Sequence, residues 1–294
     1  MRIVIALGGN ALLRRGEPPD LRTERDNILV AVAALAPIAR EHMAIITHGN
    51  GPQVGLLAAR PGAGPLDVLD AQTEGEIGYL IAQALGNRLP GARCAALLTQ
   101  VEIDPHDPAF AAPTKPIGPP YEAARAHELA RANGWTVAPD GDRWRRVVAS
   151  PRPQRIVELP VIELLVAQGV TVICAGGGGI PVVRRTDGAF VGVEAVIDKD
   201  RASALLAVQL NADALLLLTD VDAVYADWPV PAQRPLRSAS AAALRERAFA
   251  PGSMAPKVEA ACAFAETTGR FAAIGRLEDA AAILAGHAGT RVTR

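Results

Sequence analysis

The chain has 294 residues, half of them hydrophobic, and a formal net charge of −1. This length permits one large domain or two ordinary ones, and the near-neutral charge argues against nucleic acid as the main partner. No apolar run is long enough for a membrane helix, and the first one, residues 3–7, is too short for a signal-peptide core. Three distant cysteines without CxxC spacing are typical of free thiols in a reducing cytoplasm.

Short apolar segments alternate with longer amphipathic ones along the whole chain. Strands are predicted at residues 3–7, 44–47, 94–98, 170–175, 214–218 and 271–274. Helices are predicted from a cap at Thr23 through Leu35, and at residues 73–89, 121–132, 199–210, 257–268 and 278–284. This alternation predicts an α/β fold with a mostly parallel sheet covered by helices on both faces.

The proline-rich segment 104–153 departs from this rhythm. It contains the predicted helix 121–132 and a hairpin, residues 135–138 and 144–148, around an Asp140-Gly141 turn. We interpret it as a small protruding subdomain inserted into a single domain of residues 1–294. Because Lys115 lies near its start, the subdomain is predicted to carry a charge over the active site as a lid. The alternative is a surface elaboration with no role in the chemistry.

Three glycine clusters each follow a predicted strand. Ligands of open α/β sheets bind at the carboxyl ends of the strands, where glycine lets backbone N–H groups approach an anion. The clusters are therefore predicted to converge on one crevice that binds phosphate. No cluster is a Walker A loop, and no protein-kinase motif set is present. The candidate binding residues are Gly8, Gly9, Asn10, Gly49, Asn50, Gly51, Gly177 and Gly178.

Only three of the 30 lysines and arginines are lysine: Lys115, Lys199 and Lys257. Lysine is a compact point charge whereas arginine is a planar fork, and compact cations beside glycine-rich loops suit phosphoryl transfer. Lys199 lies between Asp198 and Asp200 at a predicted helix start. Lys257 also lies at a helix start, where a cation opposes the helix dipole and therefore suggests a nearby anion. Chance placement in an arginine-rich chain is the alternative.

The sequence offers no obvious general base for catalysis. No Ser-His-Asp set or metal-ligand cluster is evident, and His48 is more typical of a hydrogen-bonded loop residue than of a catalyst. An acceptor that is already an anion needs no base; it needs positive charge and oriented backbone donors. Residues 49–55 come close to a dinucleotide fingerprint, with Asp67 and Asp70 at the distance of a ribose-binding acid, so an oxidoreductase remains an alternative.

The longest motifs resemble those of the carbamate kinases. They read ALGGNAL at residues 6–12, THGNGPQVG at 47–55, QTEG at 72–75, PTKPIG at 113–118 and WRRVV at 144–148, and the match continues in order along nearly the whole chain. The resemblance implies the amino acid kinase fold, an αβα sandwich that usually forms a homodimer. It also implies reversible transfer of a phosphoryl group from ATP to carbamate, with Mg²⁺, in the context of arginine metabolism.

The same resemblance implies a role for each candidate residue. Lys199 and Lys257 resemble the pair that bridges the transferred phosphoryl group, Asp200 the acid that organises them, and Lys115 the lysine lent by the subdomain. The first two glycine clusters would hold the γ-phosphate and the carbamate. The nucleotide would lie near Asp220, Tyr225 and Met254.

Two departures from the family pattern affect the nucleotide side. Ala112 stands where the family usually has asparagine, and residues 227–230 differ from the usual stretch after Tyr225. These departures bear on nucleotide affinity and not on the phosphoryl chemistry. The alternatives within the fold are a kinase for another small acid or nucleotide, such as acetylglutamate or uridylate, and a catalytically silent relative.

Overall fold

The structure is a computed structural model, which describes residues 1–9, 12–13, 16–60, 62–226, 233–250 and 252–294. The strands are β1 (Arg2–Leu7), β2 (Met43–His48), β3 (Arg93–Ala96), β4 (Gln100–Ile103), β5 (Lys115–Tyr121), β6 (Thr136–Asp140), β7 (Arg143–Val148), β8 (Pro153–Ile156), β9 (Val170–Ile173), β10 (Ile180–Arg184), β11 (Phe190–Gly192), β12 (Ala214–Thr219), β13 (Val224–Ala226), β14 (Arg234–Leu236), β15 (Ser238–Ser240), β16 (Phe271–Arg276) and β17 (Thr290–Thr293). The helices are α1 (Leu21–Glu41), α2 (Gly51–Ala58), α3 (Leu66–Arg88), α4 (Ala123–Asn133), α5 (Leu159–Ala167), α6 (Lys199–Gln209), α7 (Ala241–Arg245), α8 (Met254–Thr268) and α9 (Ala280–Leu284). In the described part of the chain, no helix is long and apolar enough to cross a membrane.

The main sheet has eight strands in the order β15-β17-β16-β12-β1-β2-β9-β3. Its pairs are parallel except for β16 with β17. Because β1, β2 and β9 are neighbours that run in one direction, the glycine clusters that follow them lie at one edge of the sheet. The predicted mostly parallel sheet is therefore confirmed.

Helices cover both faces of this sheet because alternate strand residues point to opposite sides. Along β1, Ile3, Ile5 and Leu7 pack in a core with α1, α3 and α9. Val4 and Ala6 pack in the other core with α5, α6, α7 and α8. These two apolar layers make a three-layer αβα sandwich and confirm the predicted fold class.

Strands β4–β8, β10 and β11 form two smaller sheets. The first is the sheet β11-β10-β4-β8, in which β4 and β8 pair antiparallel, so the chain leaves and returns at neighbouring strands. The chain between them forms α4 and the antiparallel sheet β5-β7-β6, which we call the flap (residues 115–148). Ile117 and Val148 of the flap pack with Val54 and Ala58 of α2. The lid role assigned to segment 104–153 stays a prediction.

Several element boundaries differ from those expected, and one helix was not predicted. The cap of α1 is Asp20, whose side chain accepts from the Thr23 nitrogen, so the predicted cap at Thr23 is wrong. Helix α3 begins at Leu66 rather than near residue 73, and α2 was not predicted at all. Residues 278–284 form a short 3₁₀ turn followed by α9 rather than one helix.

Candidate active site

The first two glycine clusters touch at the carboxyl edge of the main sheet. The Gly49 nitrogen donates to the Leu7 carbonyl at 3.0 Å, and a Cβ added to Gly49 would lie 2.9 Å from the Gly9 nitrogen. Gly8 lies on the end of β12, where its nitrogen donates to the Leu218 carbonyl. These contacts leave no room for a side chain between the two loops. Asn10 lies outside the described residues.

The third cluster lies behind the second. Gly177 and Gly178 are buried, and a Cβ added to Gly177 would lie 2.2 Å from Asn50 Nδ2. A Cβ on Gly178 would lie 2.4 Å from the Ile197 carbonyl oxygen. Glycine is therefore required at both positions by close packing. Their assignment to phosphate binding stays a prediction.

Two of the three lysines converge on one carboxylate. Lys199 begins α6, and its Nζ donates to Asp200 Oδ1 at 2.5 Å. Lys257 lies in the first turn of α8, and its Nζ donates to Asp200 Oδ2 at 3.1 Å. Helices α6 and α8 pack side by side in one apolar core, and this packing brings the two ammonium groups together. Asp200 thus contacts both lysines, and the catalytic roles assigned to the three residues stay predictions.

The charges of this trio are only partly balanced. The Asp200 side chain is 6% exposed, and those of Lys199 and Lys257 are 10% and 13% exposed. Burial disfavours the Asp200 anion, but the two ammonium groups outweigh it and hold the pKa of Asp200 well below its usual range. Burial also lowers the pKa of Lys199, against the opposing influence of Asp200. Two cations with one anion leave a net positive charge suited to a phosphate.

Lys115 lies beside this trio and has a different partner. Its Nζ donates to Asp198 Oδ2 at 2.7 Å, and its side chain is 31% exposed. Asp198 Oδ1 accepts from the backbone nitrogens of Asp200 and Arg201 and thereby caps α6. One carboxylate therefore joins the flap to the helix start that carries Lys199.

A buried polar network that was not predicted supports the second glycine cluster. Asn50 Nδ2 donates to Asp70 Oδ1 and to Thr73 Oγ1, each at 2.9 Å. His48 is fully buried, its Nδ1 lies 3.2 Å from the Gly49 carbonyl, and burial lowers its pKa to about 4. His48 is thus a buried, hydrogen-bonded residue as expected, but it ends strand β2 and does not lie in a loop. Asp70 is 1% exposed and bonded to Asn50, so it is not available to a ribose.

We expect Asp70 to make the stability of the protein fall as pH rises. Burial raises the pKa of Asp70 from 3.8 to about 8. The folded chain then keeps a proton that the unfolded chain releases between about pH 4 and pH 8, so the free energy of unfolding decreases by about 1.4 kcal/mol per pH unit in that window. Asp70→Asn removes this contribution and keeps a carbonyl oxygen for Asn50. Urea unfolding at pH 5.5 and 8.5 should show a smaller loss of stability in the variant.

The exposed Asp26 of α1 offers a matched control, because Asp26→Asn makes the same chemical change without burial. Its unfolding free energy should track that of the unmodified chain at both pH values. If Asp70→Asn also runs parallel to the unmodified chain, Asp70 does not hold a proton in the folded state.

The residues expected near the nucleotide lie one strand further along the same edge. Asp220 follows β12, where Thr219 Oγ1 donates to Asp220 Oδ1 at 3.1 Å. Tyr225 lies in β13, and its hydroxyl donates to Asp222 Oδ1 at 2.8 Å. Met254 is the first residue of α8, three positions before Lys257. The divergent residues 227–230 lie outside the described residues.

Comparison with known proteins decides the family. A sequence model described as the amino acid kinase family matches residues 1–274. The chain belongs to the amino acid kinase family. Carbamate kinases of Rhizobium meliloti and Haemophilus influenzae are each 52% identical to it, over all of this chain and 93% and 97% of theirs. The structure of carbamate kinase from Giardia lamblia bound to AMP-PNP is 40% identical, with a TM-score of 0.90, over 99% of this chain and 98% of that one.

These matches place the chain among the carbamate kinases of the amino acid kinase family and confirm the predicted phosphotransferase class. The dinucleotide oxidoreductase is set aside, since neither the family nor the buried Asp70 supports it. Sequence reasoning missed Asp70, Thr73 and Glu74 as supports of the site. The one signal that could have found them is their spacing at i, i+3 and i+4, which puts all three on one face of α3.

Proposed function

We propose that the protein transfers a phosphoryl group reversibly between ATP and carbamate, giving ADP and carbamoyl phosphate. The observation that carries the proposal is the buried trio of Lys199, Asp200 and Lys257 beside the glycine loops. Such a trio suits a reaction between two anions, because it supplies compact positive charge where charge develops in the transition state. The carbamate kinase names of the full-length relatives support the choice of acceptor.

In this mechanism the chain positions the reactants and withdraws no proton. Lys199 and Lys257 would contact the transferred phosphoryl group from two helices, with Asp200 fixing the distance between them. Backbone N–H groups of the first two glycine clusters would orient the γ-phosphate and the carbamate in line. His48 takes no part as a base, because it is fully buried and burial lowers its pKa to about 4, which makes its imidazole a weak proton acceptor.

Mg²⁺ fits the site as a companion of the nucleotide. No group of three His, Cys, Asp or Glu side chains able to hold a metal is found among the described residues. Mg²⁺ commonly binds through one or two carboxylates together with substrate phosphates, and Asp220 and Asp222 supply carboxylates at the end of β12. When bound there, it would neutralise charge on the β- and γ-phosphates.

The direct test couples carbamoyl phosphate and ADP to the formation of ATP. Acetyl phosphate and N-acetylglutamate phosphate serve as controls for another small-acid kinase. We expect ATP from carbamoyl phosphate and at least about tenfold less from either control, since a site built around one acceptor discriminates by differential binding in the transition state. Equal rates with N-acetylglutamate phosphate would assign the chain to a different acceptor.

The flap is proposed to act as a lid that brings Lys115 to the acceptor. A cavity of about 680 Å³ is lined by flap residues that include Trp135 and Val147 and, on its other side, by Arg60 and Pro65. Lys115 extends from the flap to Asp198, the cap of α6. Lys115→Ala should therefore lower the transfer to or from carbamate about 10²-fold, the low end for one electrostatic group, and affect slow ATP hydrolysis less. Paired rate measurements on the same preparation provide the comparison.

Arg143 is the matched control for this change. It is an exposed cation of the same small sheet, paired with Glu122 at 2.5 Å. Arg143→Ala should leave both rates near those of the unmodified chain. Equal losses of carbamate transfer and ATP hydrolysis in Lys115→Ala would rule out a role in handling the acceptor.

A cytoplasmic homodimer is the assembly that we propose. The edge strand β3 leaves one side of the main sheet open, and the apolar side chains of Tyr79 and Leu98 are 53% and 54% exposed near that edge. Open edges and apolar surface are commonly covered by a partner. Sedimentation of the purified chain at monomer mass would contradict the dimer.

A further inference from the structure

The turn that follows β9 is a buried platform for the reactive loops. We use the name platform for residues 175–179. A Cβ added to Gly176 would lie 2.3 Å from the His48 ring, one on Gly177 2.2 Å from Asn50, and one on Gly178 2.4 Å from the Ile197 carbonyl oxygen. His48 directly precedes the second glycine cluster, Asn50 belongs to it, and Ile197 directly precedes the segment Asp198-Lys199-Asp200. The position of the platform backbone therefore determines where the second glycine cluster and the start of α6 lie.

The platform has a backbone shape that does not form by itself. Ala175 has a φ of 49°, and Gly177, Gly178 and Gly179 have φ values of 70°, 107° and 87°. The first is a left-handed conformation that a non-glycine residue rarely adopts. Such conformations persist only where the surrounding structure fixes them, and they cluster at functional sites. Something outside the platform must therefore hold it.

Glu74 and Thr99 make the contacts that hold it. Glu74 Oε1 accepts from the Gly176 nitrogen at 2.7 Å, and Oε2 accepts from the Thr99 nitrogen at 3.0 Å. Thr99 Oγ1 in turn accepts from the Ala175 nitrogen at 2.9 Å. Glu74 is 3% exposed and Thr99 is fully buried, so water does not compete for these bonds. Two consecutive amides of the platform are thus tied to a pair of side chains far away in sequence.

We propose that Glu74 and Thr99 are positioning residues for phosphoryl transfer. They hold the platform against His48, Asn50 and Ile197. The second glycine cluster and Lys199 are thereby kept at the right separation. The proposal rests on the proposed function, because it concerns the same reaction. Neither residue lies among the groups assigned to contact the substrates.

The chemistry of Glu74 makes the proposal specific. Burial raises the pKa of Glu74 to about 8, but both of its oxygens accept from backbone N–H groups, which favours the carboxylate. A glutamine of the same shape has only one acceptor oxygen. In Glu74→Gln the new NH₂ group must face a backbone donor, so one of the two bonds is lost. Thr99→Val removes the acceptor for Ala175 in the same way, whereas Thr99→Ser keeps it.

The test measures kcat and both KM values for ATP formation from carbamoyl phosphate and ADP. In Glu74→Gln and Thr99→Val we expect kcat to fall about 10²-fold, the loss that a misplacement of about 1 Å can cause. The KM for carbamoyl phosphate should rise, whereas the KM for ADP should stay within about twofold, because the residues assigned to the nucleotide follow β12, lie in β13 or begin α8 and do not belong to the platform. Thr99→Ser should keep the kcat of the unmodified chain, because serine retains the hydroxyl that accepts from the Ala175 nitrogen. The double variant should lose little more than either single one, since both release the same turn.

Several outcomes separate the possibilities. Glu163→Gln, on the exposed face of α5, is the control and should behave like the unmodified chain. Wild-type kinetics in Glu74→Gln and Thr99→Val, or equal changes in both KM values, would overturn the positioning role. If Glu74→Gln does not fold, the Thr99→Val and Thr99→Ser pair decides alone. An unmodified chain that forms no ATP from carbamoyl phosphate would overturn the proposed function as well.

Discussion

Lys199→Ala is expected to lower kcat about 10²–10³-fold, the loss typical of one preorganised electrostatic group. Its Nζ is held 2.5 Å from Asp200 in a site that is nearly closed to water, so a mobile cation from solvent cannot replace it. Lys199→Arg should also fail. The guanidinium is a planar fork that cannot occupy the place of a compact ammonium between Asp200 and a phosphate.

Arg201 provides the reverse substitution as a control. It lies two positions further along α6 and pairs with Glu259 at 2.9 Å outside the trio. Arg201→Lys should change kcat less than about twofold, since partly exposed ion pairs contribute little. Steady-state rates of all three variants, with melting temperatures to establish folding, make the comparison. Full activity in Lys199→Arg would contradict the proposed electrostatic role of the Lys199 ammonium group.

The parts of the fold that the sequence predicts well are those fixed by local patterns. Strand β1 ends at Leu7 because the apolar run meets Gly8, and α8 ends at Thr268 because Gly269 readily adopts the left-handed cap. The order of such signals gives the alternation of strands and helices. It also places the glycine clusters at one edge, because parallel strands end together.

The errors occur where distant residues override local chemistry. Helix α2 starts with Gly51-Pro52, which locally resembles a loop, yet Val54 and Ala58 are buried against the flap and stabilise a helix. The early start of α3 depends on Glu194, which accepts from the Leu66 nitrogen across 128 positions of sequence. No window of neighbouring residues contains that information.

The site shows the same division. Lys199 and Lys257 can be found from their rarity and their helix starts. The buried carboxyls of α3 cannot, because acidic residues on helices are normally exposed and their partners lie far away in the chain. Glu74 has a function only when Thr99 and Gly176 are brought to it, 25 and 102 positions further on. The lysines and glycine clusters of the candidate site were therefore predictable, whereas the buried residues that support them were not.

Asp200→Asn is expected to damage both stability and activity. Asp200 is the one carboxylate that both Lys199 and Lys257 contact, and its side chain is 6% exposed. Removing its charge leaves two buried cations facing each other, a change that costs about 3–5 kcal/mol of unfolding free energy. Because the pKa of Asp200 is held below its usual range, this stabilisation is present above about pH 4 and is lost as pH falls. Urea unfolding at neutral and acid pH should show the difference shrinking.

The residual activity of Asp200→Asn should also acquire a pH dependence. Asp200 opposes the burial that lowers the pKa of Lys199, so without it the pKa of Lys199 falls further and the ammonium is lost as pH rises. Asp198→Asn is the comparison: asparagine still caps α6. The variant loses the charged pair with Lys115, and we expect a smaller cost than in Asp200→Asn because the Lys115 side chain is 31% exposed and water can hydrate its ammonium group. If the two variants were equally stable, and Asp200→Asn kept a flat pH–rate profile, the carboxylate would not be what holds the two lysines together.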